Sequence, residues 1–200
     1  MSKPIDCYKY VGAGNDFVIF ENWNGDLKLT VQQIVSICDR HFGIGADGIL
    51  ILQPHNSADF QMNYFNADGS RGEMCGNGAR CLVSFAEFLG RAKSSGTFSA
   101  DDGIHYYSIH GDLVDVEIIV NGELQGWDIP RIGCGFIDTG VPHLIIPSQD
   151  AASENLDPLG RKMNSHEAHP LGTNVNIVEK LSHSVKVRTW ERGVNVETLA

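Results

Sequence analysis

The stretch best suited to chemistry is Cys75-Gly76-Asn77-Gly78, which stands directly before an apolar run. If a helix begins at Gly76 or Asn77, Cys75 lies at its N-terminus, beside unpaired backbone N–H groups and the positive end of the helix dipole. This setting lowers the pKa of a thiol from its usual value of about 8.5 and favours the thiolate. The N–H groups of Gly76 and Asn77 could bind a carboxylate. The alternative is a tight turn in which Cys75 is a small buried apolar residue.

A second set of polar residues lies at turns or strand ends, where each could be an ordinary turn former. Arg192 beside Glu191 could be a surface ion pair that contributes little, or a guanidinium that binds a substrate carboxylate. His143 after Pro142 is, in isolation, typical of a structural histidine. The turn residues of this set are Asn15, Asn66, Asn174, Glu191 and Arg192.

The five cysteines, at positions 7, 38, 75, 81 and 134, include no Cys-x-x-Cys pair, so neither a zinc ribbon nor a thioredoxin-type redox site is predicted. Cys81 falls inside the apolar run, and Cys38 shares the apolar face of a predicted helix, so both are interpreted as core residues. Cys7 is also interpreted as structural. The sequence does not decide the role of Cys134, which lies between two glycines.

The composition, with 42% hydrophobic and 20% charged residues, is that of a soluble globular protein, and 200 residues suffice for one ordinary domain or two small ones. The formal net charge of −10 argues against nucleic acid or an anionic membrane as a partner. No apolar run approaches the roughly 20 residues that span a bilayer, and the N-terminus shows no signal pattern. We therefore expect a cytoplasmic protein.

Hydrophobic patterning predicts a mixture of strands and helices. Thr30 can cap a helix whose apolar positions start at Val31. A second helix is predicted from about Asn77 to Leu89, and because it is apolar on most sides it should lie inside a domain. Strands are predicted at Ile5–Tyr10, Asp16–Glu21, Ile49–Leu52, Asp59–Phe65, Gly103–His110, Leu113–Asn121 and Leu144–Ile146.

The pattern restarts around Gly122–Trp127, which predicts an N-terminal domain at 1–124 and a C-terminal domain at 125–200. The two halves show weak self-similarity, since Gly14-Asn15 matches Gly140-Val141 and each half continues with a polar turn. Glycine-plus-polar turns also recur by chance, so this signal is weak by itself.

The repeat also makes a prediction about the end of the chain. Cys75 lies 60 residues after Asn15, and 60 residues after Val141 is position 201. A reactive residue is therefore predicted immediately after Ala200.

Six stretches along nearly the whole chain resemble the diaminopimelate epimerase family. Any one of them would be only suggestive, but six in the family's order are highly specific. They are Gly12-Ala13-Gly14-Asn15-Asp16-Phe17, Arg40-His41-Phe42-Gly43-Ile44-Gly45-Ala46-Asp47, Phe65-Asn66-Ala67-Asp68-Gly69-Ser70, Cys75-Gly76-Asn77-Gly78-Ala79-Arg80-Cys81, Gly172-Thr173-Asn174-Val175-Asn176, and Arg188-Thr189-Trp190-Glu191-Arg192-Gly193 leading to Glu197-Thr198-Leu199-Ala200.

The resemblance implies an α/β (α+β) fold of two similar domains, each a curved, mainly antiparallel sheet around a central helix, with the active site in the cleft between them. It implies that the second domain is incomplete, stopping before its central helix. The implied activity converts LL-diaminopimelate to the meso isomer, for lysine and peptidoglycan synthesis, with no pyridoxal phosphate, other cofactor or metal. The implied partner is this small-molecule substrate, with no nucleic acid and no membrane. The sequence does not set the oligomeric state, and a homodimer is one option.

The resemblance also implies roles for individual residues. Cys75 matches one of two acid–base cysteines, which remove the α-proton from one face and deliver a proton to the other. Gly76 and Asn77 match the groups that hold the α-carboxylate, and His143 and Glu191 match polar groups that support the thiols. The residues implied to hold the substrate and its distal end are Asn15, Asn66, Asn174, Glu191 and Arg192.

The chain departs from the family pattern at three places. The family's second catalytic cysteine follows Glu-Thr-x-Ala, and the sequence ends at Ala200, so we interpret it as a truncated piece. Val141 stands where the family often has asparagine, and Gly48 stands where a glutamine is common. Both departures remove polar contacts.

Three alternatives stay open. The first is a proline or hydroxyproline racemase of the same fold, although Arg192 and the several asparagines favour a longer, doubly charged substrate. The second is a non-catalytic amino-acid-binding fragment. The third is a thiol hydrolase in which His143 and Asn66 partner Cys75.

Overall fold

The computed structural model describes residues 4–129, 132–167 and 169–198. Its contacts divide the chain into two compact units, Met1–Ile118 and Ile119–Ala200. Each unit has its own sheet and its own apolar core. Leu199 and Ala200, and with them the predicted reactive position after Ala200, lie outside the described residues.

The described part of the first unit forms a seven-stranded sheet with its strands in chain order. The second strand pairs with the third, and the fourth with the fifth, in parallel, and the other neighbours are antiparallel. The elements are β1 (Tyr8–Gly12), β2 (Asn15–Glu21), α1 (Val31–Cys38), β3 (Gly48–Gln53), β4 (Phe60–Asn66), α2 (Gly76–Phe88), β5 (Ser95–Ala100), β6 (Gly103–His110) and β7 (Leu113–Val116).

Helix α2 is the central element of the first unit. It contacts β1 and β7, the two edge strands, as well as β2, β3 and β4. Seven strands about 4.8 Å apart would span about 29 Å if they lay flat, whereas a helix is only about 10 Å wide. The sheet must therefore curve around α2, which agrees with the burial of its residues on most sides.

The strands β2 and β3 are covered on both faces. Phe17 and Ile19 face α2, whereas Val18 and Phe20 pack on the other face with α1. This double burial explains why the run Ile49–Leu52 is apolar throughout.

Some ends of helices and strands agree with the prediction from the sequence, and others do not. Thr30 caps α1 as predicted, in a capping box in which its side chain accepts from the Gln33 N–H and Gln33 accepts from the Thr30 N–H. The predicted strand Leu113–Asn121 ends early, at Val116. Asn121 instead begins the first strand of the second sheet, because it pairs there with Asp138.

The described part of the second unit forms a six-stranded sheet, again with its strands in chain order. One central pair, β10 with β11, is parallel, and the other pairs are antiparallel. The elements are β8 (Asn121–Ile129), β9 (Ile132–Asp138), β10 (Pro142–Ser148), α3 (Leu156–Asn164), β11 (Asn174–Lys180), β12 (Val185–Glu191) and β13 (Val196–Thr198).

The two units share a core topology. The segment from β9 to β12, with α3 between β10 and β11, repeats the order and strand directions of β1 to β4, with α1 between β2 and β3. The predicted α/β fold class, with two similar, mainly antiparallel units and a central helix in the first, is confirmed. In the part of the chain that the structure describes, no helix is long and apolar enough to cross a membrane.

Candidate active site

Cys75 lies at the N-terminus of α2, where the sequence predicts it. It is the N-cap residue, and its Sγ accepts a hydrogen bond from the Gly78 N–H at 3.4 Å. The N–H groups of Gly76 and Asn77 belong to the first turn, whose donors have no partner within a helix. A half-buried thiol and backbone donors thus lie together at the positive end of the helix dipole.

Asn15 and Asn77 are brought together by the alternation of β2. Asn15, Phe17 and Ile19 share the face that packs on α2, so Asn15 points at the first turn of the helix. The Asn77 Nδ2 donates to the Asn15 Oδ1 at 2.8 Å, and both side chains are buried. The turn Ala13-Gly14, with φ of 48° and 92°, joins β1 to β2 in the geometry of a type I′ hairpin, which fixes where β2 starts.

A charged network holds the other side of the Asn15 amide. Its Nδ2 donates to the Asp47 Oδ2 at 3.3 Å, and Arg40 donates to both Asp47 and Asp16. Lys9 pairs with Asp16 at 2.8 Å. Although burial alone would raise the pKa of Asp16, the hydrogen bonds from Arg40 and Lys9 hold that pKa well below its usual range. The Asn15 amide is therefore oriented with its Nδ2 toward the Asp47 carboxylate, which Arg40 in turn contacts.

Asn66, the last residue of β4, pairs in register with Gly48, and its Nδ2 donates to the Ser70 Oγ at 3.0 Å. The space beside Gly48 is filled, because a Cβ there would lie 2.5 Å from the Phe65 carbonyl oxygen and 2.6 Å from the Tyr64 ring. At Gly48, where the chain departs from the family pattern, the ring of Tyr64 thus occupies the space that a larger side chain would need.

The other cysteines are less suited to acid–base chemistry. Burial raises the pKa of Cys81 to about 12 and that of Cys38 to about 11. Both lie in the core as predicted, and Cys134 is buried as well, whereas Cys7, interpreted as structural, is exposed. Among the described residues, no group of three His, Cys, Asp or Glu side chains could hold a metal ion.

In the second unit, the predicted polar residues share the sheet face opposite α3. Leu144, Val175 and Trp190 form a core with residues of α3. Because side chains alternate along a strand, the neighbours of these three residues face the other way. The predicted site residues on that opposite face are His143, Asn174 and Glu191.

Asn174 lies between His143 and the Arg192 backbone. It pairs in register with His143, and its Oδ1 accepts from the Arg192 backbone N–H at 3.0 Å. The Arg192 Nη1 donates to the Leu171 carbonyl at 3.2 Å. Burial lowers the pKa of His143, which favours the neutral ring. Val141, the second departure, stands in the turn before β10 and supplies no polar side chain.

Several residues of these networks were not singled out from the sequence, among them Asp47, Asn176 and Thr189. Asn176 stands two positions after Asn174, so strand alternation could have identified it. Asp47 reaches Asn15 across 32 positions, and Thr189 reaches Asn176 across 13. Such contacts depend on strand register, which the local sequence does not give.

The sequence model of a family described as diaminopimelate epimerase matches residues 7–120 of this chain. A diaminopimelate epimerase of Flavobacterium psychrophilum is 38% identical over 200 residues, a match that covers 96% of this chain and 75% of that protein. One of Chlorobaculum tepidum is 39% identical over 200 residues, covering 94% of this chain and 76% of that protein.

Solved structures with low identity share the fold. A phenazine biosynthesis protein of the PhzF family from Bacillus anthracis has a TM-score of 0.70 at 14% identity, covering 98% of this chain and 76% of its own. A probable proline racemase from Agrobacterium radiobacter has a TM-score of 0.64 at 13% identity, covering 94% of this chain and 71% of its own. The sequence matches are far closer than these, and on them the chain belongs to the diaminopimelate epimerase family.

Proposed function

We propose that this protein epimerises LL-diaminopimelate to meso-diaminopimelate by acid–base chemistry at the α-carbon, in lysine and peptidoglycan synthesis. The observation that carries the proposal is the position of Cys75, a half-buried thiol at the N-terminus of α2, with the Asn15–Asn77 amide pair at the same helix start. The relatives that bear the name diaminopimelate epimerase support it. The cytoplasmic location, the domain limits 1–124 and 125–200 and a homodimeric assembly stay predictions.

In this proposal, Cys75 exchanges a proton with the α-carbon. The α-C–H of an amino acid is a very weak acid, so the developing negative charge must be stabilised by donors already aimed at the carboxylate. The N–H groups of Gly76 and Asn77 and the Asn77 side chain would supply these donors. Inversion also needs a second acid–base group on the opposite face of the carbon, which we propose to be a second thiol, as in the family pattern.

The remaining residues would bind the rest of the substrate. Asn15 and Asn66 offer side-chain amides in the first unit. In the second unit, Arg192 offers a guanidinium for a carboxylate, and Asn174 is held beside it. Glu191 would accept from an ammonium group and, with His143, support a thiol.

The decisive experiment follows the α-hydrogen in deuterated water with the full-length gene product. We expect solvent deuterium to enter LL-diaminopimelate as the meso isomer forms, measured by proton NMR and chiral chromatography. Proline and hydroxyproline isomers serve as the comparison. Turnover of these instead of diaminopimelate would identify a racemase of the same fold, and binding of diaminopimelate with no exchange would identify a binding module.

A prediction about substrate affinity concerns Asp47, which accepts from Asn15 and thereby sets the direction of that amide. Replacing Asp47 by alanine removes one of the two hydrogen bonds that orient this amide, the other being the one from Asn77, so a proposed substrate contact is weakened. Hydrogen bonds to charged groups contribute about 1.5–3 kcal/mol, and we expect KM for diaminopimelate to rise about tenfold, with a smaller change in kcat.

The matched control is Asp101→Ala, which removes the carboxylate partner of Arg71 at a site without contact to Asn15. Thermal unfolding of both variants separates a loss of stability from a loss of affinity. An unchanged KM in Asp47→Ala, with the fold intact, would contradict the assigned role.

A further inference from the structure

The ring of His143 lies between two asparagine side chains of the neighbouring strand. The Asn176 Nδ2 is 3.1 Å from the His143 Nδ1, and the Asn174 Nδ2 is 3.5 Å from the Nε2. The first distance is that of a normal hydrogen bond, whereas the second is at the outer limit. The Asn174 amide also turns its Nδ2 toward the ring, because its Oδ1 accepts from the Arg192 N–H, but the contact with Asn176 is the shorter one and decides which ring nitrogen accepts.

The direction of the Asn176 amide is fixed by partners other than the histidine. Its Nδ2 also donates to the Leu144 carbonyl at 3.1 Å, and its Oδ1 accepts from the Thr189 hydroxyl at 2.9 Å. A reversed amide would place its oxygen against the Leu144 carbonyl, and two acceptors cannot bond to each other. Asn176 and Thr189 are both buried, so water does not readily replace the lost partners.

We propose that Asn176, held by Thr189 and the Leu144 carbonyl, is a positioning residue that keeps His143 neutral with its proton on Nε2. The Nδ1 faces a fixed N–H donor, so it must present its lone pair and cannot carry hydrogen. The remaining proton of a neutral imidazole is then on Nε2. The charged groups that act on this ring are Asp138 and Arg192, which have opposite signs. Burial of the ring also favours the neutral form.

This inference deepens the proposed function. The consequence of the His143 tautomer for catalysis rests on that function. A thiolate paired with an imidazolium has a strongly lowered pKa and is a weak base, whereas a base for the α-proton works best with a pKa near the working pH. A neutral His143 can donate one hydrogen bond through Nε2–H and leave the basicity of a thiol partner largely intact. The tautomer would therefore matter for kcat more than for affinity.

The test determines directly which nitrogen of the His143 ring carries the proton. Long-range proton–nitrogen NMR on the 15N-labelled protein distinguishes Nε2–H, Nδ1–H and imidazolium forms, and His143→Gln identifies which of the eight histidine signals belongs to this ring. In the unmodified protein at pH 7 we expect the Nε2–H form. In Asn176→Asp, of the same shape, the carboxylate accepts from Nδ1, so we expect the proton on Nδ1 or a doubly protonated ring.

Two further variants make the test specific. Asn63→Asp adds the same charge at a buried asparagine of the first unit, beside Arg71, and should leave the His143 signals unchanged. Thr189→Ser keeps the hydroxyl and should keep the tautomer, whereas Thr189→Val removes the donor and should give a mixture. A proton on Nδ1 in the unmodified protein, or an unchanged ring in a folded Asn176→Asp variant, would overturn the inference.

Kinetics then separate this inference from the proposed function. If both hold, Asn176→Asp lowers kcat for diaminopimelate by at least about tenfold, KM changes by less than about threefold, and Thr189→Ser retains turnover. A protein that shows the Nε2–H ring but no exchange of the α-hydrogen would refute the proposed function and leave the tautomer assignment intact. Full turnover in Asn176→Asp with the proton moved to Nδ1 would refute the role of the tautomer in catalysis.

Discussion

Replacing Cys75 by alanine is expected to abolish net epimerisation of LL-diaminopimelate, with kcat falling by at least about 10³-fold because the α-carbon loses one of its acid–base groups. The position of the thiol supports this, since its Sγ lies at the N-terminus of α2 and accepts the Gly78 N–H. The measurement is the rate of formation of the meso isomer by chiral chromatography, with saturating substrate.

The control for Cys75→Ala is Cys38→Ala, which removes a thiol from the separate core between α1 and the sheet. Cys38→Ala should retain turnover even if the core is somewhat weakened. Because Cys75 is also the N-cap of α2, its replacement is expected to lower the free energy of unfolding by about 1 kcal/mol, so thermal unfolding must accompany the kinetics. Substantial turnover in a folded Cys75→Ala protein would exclude Cys75 as an acid–base residue.

In both units, the proposed site residues on the strands lie on the sheet face that is turned away from the crossover helix. In each, a crossover helix, α1 or α3, joins two parallel strands and covers one face of them. Asn15 lies on the face turned away from α1, and His143 and Asn174 lie on the face turned away from α3. Both sets stand at or next to the first residue of a strand. Strand alternation together with the crossover thus places polar side chains near strand starts, on the sheet face away from the crossover helix, in each unit.

The sequence predicts the first unit better than the second. Helix α2 could be predicted because its residues are apolar on most sides, and α1 because Thr30 and Gln33 carry a local cap. The position of Cys75 followed from the start of α2. The orientation of His143 could not be predicted, since it depends on the pairing of Asn176 with Thr189 across two strands.

Helix α3 was missed for a physical reason that local propensity cannot reveal. Its sequence contains Pro158 and Gly160, both poor helix formers. Pro158 lies in the first turn, where a missing N–H is tolerated. Glycine is required at position 160 because the ring of Trp190, which is 30 residues away in the sequence, packs against it. A tertiary contact thus overrides the local preference, and this contact carries the last prediction.

Replacing Gly160 by alanine is expected to lower the free energy of unfolding by about 2 kcal/mol, although alanine is favoured over glycine by about 1 kcal/mol in a helix. A Cβ at Gly160 would lie 2.2 Å from the Trp190 Cγ and 2.4 Å from its Cδ2. The ring cannot easily move, because it is 1% exposed and its Nε1 donates to the Asp157 Oδ1 at 3.2 Å. Urea unfolding followed by circular dichroism gives the change.

The matched control is Gly126→Ala, in an exposed stretch of β8 where a Cβ would meet no atom within 4 Å, and it should change stability by less than about 0.5 kcal/mol. If the clash is the cause, the cost of Gly160→Ala must shrink in a Trp190→Leu background, because the two residues are in contact and their effects are not additive. An equal cost in both backgrounds would show that the ring is not what requires glycine. Because Trp190 immediately precedes Glu191 and Arg192, a displaced ring would also move the end of β12 that carries these two proposed substrate contacts, so the same substitution should raise KM.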